Sequence, residues 1–148
     1  MPSAQQIILG PSSDARPCPI DVTFDAIHHG RAASCTIIGP GNRQVGVATL
    51  HDVGPFVLPG HLLATPEHLH GTIETRVPPP PGTRSPGSFR TVGSIDVYPS
   101  FISPVHEILL QIGGRTQDLQ ATCAGGSVRA TAADGSVYAF TFAQHAPP

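Results

Sequence analysis

The stretch from Glu107 to Phe142 constrains the fold most. Three glycine-centred breaks, Gly113-Gly114, Gly125-Gly126 and Asp134-Gly135, cut it into the short apolar or alternating runs ILLQI, DLQATCA, SVRATA and SVYAFTF. Runs of this length bounded by turn residues predict an antiparallel β-meander. Asp134-Gly135 predicts a two-residue type I′ hairpin turn, since Asp and Gly both tolerate the positive φ that this turn demands at its central positions. Beyond it, Tyr138, Phe140 and Phe142 alternate with Val137, Ala139 and Thr141. The aromatics then share one face of a strand, and that face is predicted to be core.

The rest of the chain repeats this grammar. Ile20 to Phe24 alternates apolar and polar residues and predicts a half-buried strand. Ala32–Ile38 and Gln44–Leu50 flank Gly39-Pro40-Gly41-Asn42, a four-residue hairpin loop. Asn42, the only Asn in the chain, stands where a left-handed residue is needed. Phe56–Leu58 reads as a short strand and Thr72–Val77 as an alternating one, with Ile73, Thr75 and Val77 on one side and Glu74 and Arg76 on the other. Pro78 to Pro81 cannot donate to a ladder, so the strand must stop there, and residues 78–88 form a Pro-rich, polyproline-like loop. Phe89–Tyr98 predicts a long strand with a bulge at Gly93. Pro104–Leu110 fits either a short helix with Ser103 as its cap or the first strand of the meander. An apolar run at Gln5–Leu9 lies within an N-terminal arm over residues 1–19, and residues 143–148 form a tail. The prediction is one all-β domain over residues 1–148, an antiparallel β-sandwich or barrel of jelly-roll-like form with a C-terminal meander and Pro-rich arms.

Composition narrows function mainly by exclusion. The chain has no Lys, which removes Walker A, Schiff-base and Ser-Lys chemistry. Net charge is -2 and the eight cations, all Arg, are scattered, so nucleic acid is not an expected partner. No run approaches the ~18 apolar residues of a membrane helix, and the N-terminus lacks the charged and apolar regions of a signal peptide. The three cysteines, Cys18, Cys35 and Cys123, are odd in number and form no CxxC, which predicts reduced, mostly buried thiols. No complete catalytic motif is present: His106-Glu107 opens HExxH, but Leu110 stands where the second His belongs. Asp21 and Asp25 read as solvated strand ends, and His28-His29-Gly30 as a turn.

Histidines supply the one constellation with chemical content. His68-x-His70 with Glu74 four residues later, between Gly60 and Gly82, reads G-x7-H-x-H-x3-E-x7-G. This is similar to the first cupin motif, and Gly93-x5-Pro99 with His106 is the nearest stretch to the second. The resemblance implies a β-barrel enzyme holding a divalent metal through His68, His70, Glu74 and His106, a donor set suited to Fe, Mn, Ni or Zn. The plainer reading makes Thr65–Gly71 a polar surface loop with solvated histidines, no catalytic or metal residues and no cofactor.

The Pro/Gly-rich arms, the low charged fraction of 12% and the turn-punctuated strands point elsewhere. In these respects the chain resembles the small all-β cement or decoration proteins of tailed-phage capsids. That resemblance implies a non-enzymatic virion component, assembled in the host cytoplasm. It would form a dimer or trimer and stabilise a shell of major capsid protein through added interface area.

Overall fold

The alternation in the sequence becomes the wall of a closed barrel. A computed structural model of the protein describes residues 17–54, 56–57, 64–65, 67–84, 87–100, 103–124 and 126–145. Helix α1 (Pro19–His28) precedes β1 (Ala32–Ile38), β2 (Gln44–Val53), β3 (Phe56–Val57), β4 (Ala64–Thr65) and β5 (His68–Val77). Then come β6 (Ser88–Tyr98), β7 (Val105–Ile112), β8 (Arg115–Ala124), β9 (Ser127–Thr131) and β10 (Val137–His145). Strands β1, β2 and β5 to β10 close in the cyclic order β1-β10-β9-β8-β7-β6-β5-β2, while β3 and β4 form a separate small hairpin. Each barrel strand pairs antiparallel with its neighbours, so the path is up-and-down, without the crossovers of a jelly roll. Closure leaves the barrel no free strand edge.

The predicted meander turns join β7 to β10, but the type I′ geometry expected at Asp134-Gly135 is found at Gly113-Gly114. Gly113 and Gly114 both have positive φ, 60° and 77°, and link the directly paired Ile112 and Arg115. That is the geometry of a type I′ turn. At Asp134-Gly135 only Gly135 has positive φ, 89°. Gly135 N–H donates to Ala132 O and Ala132 N–H to Ser136 O, which makes a three-residue loop ending in a left-handed glycine. Asp134 keeps a negative φ because its carboxylate accepts the Ser136 N–H at 2.9 Å, a contact that also holds its pKa below the ordinary carboxylate value. Asn42 behaves as predicted: among the described residues it is the only non-glycine with positive φ, 62°.

Side chains inside the barrel alternate along every strand. Cys35, Ile37, Leu69, Ile73, Ile95, Val97, Ile108, Leu110, Leu119, Val128 and Phe140 are buried. Tyr138 and Phe140 face inward as predicted, and Phe142 packs half-buried against the same core. Small residues at other inward positions, among them Ala48, Ala121 and Ala130, leave room for the large ones.

Curvature comes from bulges beside inward glycines. Register slips between Ile73 and Glu74, so that Ile73 faces Gly93, Glu74 faces Thr91 and Val92 is the extra residue. A second slip, between Ile37 and Ile38, leaves Val45 as the extra residue beside Gly46. A Cβ on Gly93 would run into the carbonyl oxygen of Gln111 on β7, a backbone group with no room to retreat. We expect Gly93→Ala to lower stability by about 1–3 kcal/mol, the range for overpacking. A chemical-denaturation midpoint equal to that of the parent would show that the strands do not approach this closely.

Two segments depart from prediction, and one left open is settled. Residues 19–28 form helix α1, not a strand. Ile20, Val22 and Phe24 match a period of two, but Ile20, Thr23, Phe24 and Ile27 match helical spacing, and Pro19 at N1 with Asp21 in the first turn supplies a helix start. The segment at Pro104–Leu110 resolves as strand β7. The predicted tail belongs to β10 as far as His145, which pairs with Ala32 and closes the barrel. Of the predicted N-terminal arm, residues 1–16 lie outside the described residues, as do residues 146–148 of the tail. Among the described residues no helix is long and apolar enough to cross a membrane.

Candidate functional site at the helix-capped end

Helix α1 packs on β1, β2, β9 and β10 and stoppers one end of the barrel. Ile20 and Thr23 are fully buried there, and Phe24 is nearly so. Gln144 on β10 donates to Thr23 Oγ1 at 3.2 Å, which satisfies the hydroxyl inside the apolar plug. Seven of the eight histidines, His28, His29, His51, His68, His70, His106 and His145, stand at or near this end, around the plug, and the eighth, His61, lies outside the described residues.

The cysteines differ most from expectation. Cys18, at the N-cap of α1, is disulfide-bonded to Cys123 on β8, 105 residues away in sequence. Only Cys35 is a free thiol. It is fully buried, and burial pushes its pKa far above the ordinary thiol range, so it is chemically quiet. His106 lies against the disulfide with Nε2 3.6 Å from Cys18 Sγ. Ser100 N–H donates to His106 Nδ1 at 2.9 Å, so Nε2 carries the ring proton and points it at sulfur. Cys18, Cys123 and His106 are close enough together to suggest a metal centre. Their chemistry does not fit one, because the sulfurs are bonded to each other and a protonated Nε2 has no lone pair to offer.

The four residues of the cupin-like motif are not brought together. On β5 the inward positions are Leu69, Gly71 and Ile73, so His68, His70 and Glu74 face outward. His106 faces inward on β7, on the far side of the wall. Glu74 is four residues along a continuous strand from His70, or ~13 Å at the usual rise, well beyond any coordination sphere. The plainer reading also needs revision, because His68 to Gly71 are strand, not loop, and His68 is buried.

What His68 and His70 do share is Asp96 on β6. Its Oδ1 lies 3.2 Å from His68 Nε2 and 2.7 Å from His70 Nδ1. His68 stacks on Tyr98 with ring centroids 4.4 Å apart. His51 is the cross-strand partner of His70, so one row on the outer face runs His51, His70, Asp96. A second cluster joins the helix to the wall: His28 Nε2 lies 3.0 Å from Glu67 and 3.3 Å from Asp52, and its ring stacks on Phe24. Asp21 and Asp25 lie exposed on α1, with Asp25 3.5 Å from His29. They do not form a buried acid pair.

Further round the outer wall, Glu107 on β7 and Asp118 on β8 share a hydrogen bond. That bond, then partial burial and the charge of Asp118, raise the Glu107 pKa. Protonated Glu107 is therefore favoured in the fold. Its contribution to stability is complete below the pKa of the unfolded chain and is lost as pH rises through the raised folded value. Burial and the carboxylates of Asp96 and Glu107 likewise raise the Tyr98 pKa.

Neither Asp96 nor the disulfide carried a recognisable signal in the sequence. Asp96 sits in an ordinary alternating strand, and no spacing rule links cysteines 105 positions apart. Among the described residues this end holds ion pairs, a covalent tie and a packed plug, which are means of holding parts together. No family model matches the chain, and neither a curated protein nor a solved structure matches it.

Proposed function

We propose that the protein is a non-enzymatic structural and binding module that works by docking onto a larger protein assembly, as a decoration or cement component of a virion shell does. The observation that carries this reading is Phe89, on the outer face of β6 and 70% exposed. Val47, also exposed, lies with it along one shallow groove on the outer wall whose rim bears Glu74 and Arg76. Burying such a ring against a partner is worth ~1.5–3 kcal/mol, and in the monomer that gain is unused. The exposed prolines 78, 80 and 81 lie in the connection that precedes this strand and offer a second unburied surface. Since the barrel has no free edge, a partner must be engaged through side chains and arms, not by strand addition.

The test is association. The protein should sediment as a dimer or trimer, or bind a preformed shell. Phe89→Ser and deletion of Pro78–Pro81 should each weaken that association by about tenfold or more while leaving the thermal midpoint nearly unchanged. A strictly monomeric protein that binds no shell would overturn the proposal.

A further inference from the structure

The two ends of the barrel are chemically unlike. α1 stoppers one, and Cys18 and His145, near the two ends of the described residues, both lie there. The other end opens into a cavity of about 560 Å³. Its rim carries Arg43 from the β1–β2 connection, Arg90 from β6 and Arg115 from the start of β8, and no carboxylate lines it. Among the described residues none of these guanidinium groups is within ion-pair distance of an acid. The carboxylate of Asp134, held by Ser136, feels the charge of Arg115 without pairing with it, and Glu74 lies on the outer face of the wall.

Below the rim the half-buried Val45, Val92 and Ile112 give an apolar wall, interrupted by the polar side chains of Gln44, Thr75 and Gln117. The buried Leu110 and Tyr138 lie behind it, and the Tyr138 hydroxyl donates to Gln117 Oε1 at 2.6 Å. Closed eight-stranded barrels have just enough interior to be filled by side chains or to hold one small ligand at a mouth. This barrel does both: packed toward the plug and open toward the arginines. Its volume falls within the ~300–1,000 Å³ of small-molecule sites.

We propose that this open mouth is a binding site for a small amphiphilic organic acid. The carboxylate is held by the planar, fixed-charge forks of Arg43, Arg90 and Arg115, and the apolar body lies on the half-buried Val45, Val92 and Ile112. A bare inorganic anion would leave the Val45, Val92 and Ile112 surface unburied, and the arginines disfavour a neutral alkyl ligand. The site adjoins the docking surface at Phe89, sharing Gln44 and Thr75 with it, but opens on the inner side of the wall.

Decanoate is a suitable probe, with decanol as its uncharged counterpart. Titration calorimetry and amide chemical-shift mapping should show one saturable decanoate site per chain below the micellar range. Shifts should be centred on residues 110–117 and Tyr138, with the helix-capped end unmoved. Decanol should bind about tenfold or more weakly, and so should decanoate to the Arg90→Gln/Arg115→Gln variant. The affinity should fall with added salt, as a partly exposed charge pair requires. An unchanged melting profile of the double variant guards against misfolding, and the shift map on the parent protein needs no variant at all. The proposal is overturned if decanoate shows no saturable site, if the shifts fall at the plug, or if decanol or the double variant binds as well.

Discussion

Breaking the Cys18–Cys123 bond should lower the stability of the protein by about 2–5 kcal/mol. The bond joins residues 105 positions apart, so the loop it closes contains five complete barrel strands, the β3–β4 hairpin and nearly all of β8. In the unfolded chain such a cross-link removes a large share of conformational freedom, and this term grows only as the logarithm of loop length. In the folded chain the same bond fastens the first residue before α1 to the wall. Its loss frees the segment that carries Ile20 and Phe24 into the barrel end. Thermal melts with and without reductant, or of Cys123→Ser, should differ by about 6–15 °C, taking ~3 °C per kcal/mol for a domain of this size. Thiol titration of the denatured protein should find one thiol without reductant, from Cys35, and all three after it. Equal melting curves for samples that differ in this way would show that the plug is held by packing alone.

Phe140→Ala should cost about 3–5 kcal/mol. The ring is 2% exposed and lies where β10 is paired with Ile37 on β1 and Val128 on β9. Every barrel strand is already paired on both sides, so the wall cannot easily close over the lost volume, and a cavity should remain. Phe89→Ala is the matched control: the same atoms are removed from a 70% exposed position, and the stability change should stay within ~0.5 kcal/mol. A loss below ~1 kcal/mol for Phe140→Ala would mean that the barrel collapses onto the space, and the rigid-wall picture would fail.

Much of the site was not legible because it is assembled from far apart. His68-x-His70 was conspicuous in the sequence, and the structure does make these residues work together, through Asp96. Their partner could not be read in advance, since it depends on the register between β5 and β6. The metal reading failed on geometry: a continuous strand carries Glu74 too far from His70, and the barrel wall separates His106 from both. The error at residues 19–28 was of another kind. Five residues fit a period of two as well as a helical stripe, and only extension to Ile27 separates them.

By itself the sequence determined the local geometry. The turns at Gly113-Gly114 and Asn42 and the inward face of Tyr138 and Phe140 depend on a few contiguous residues, because positive φ and strand alternation are short-range steric facts. The tertiary structure alone decided closure of β1 on β10, the joining of Cys18 to Cys123, and the arrangement that puts Arg43, Arg90 and Arg115 round one mouth while the other end is stoppered. These follow from the pairing register summed around eight strands, a quantity to which no local stretch contributes a recognisable share.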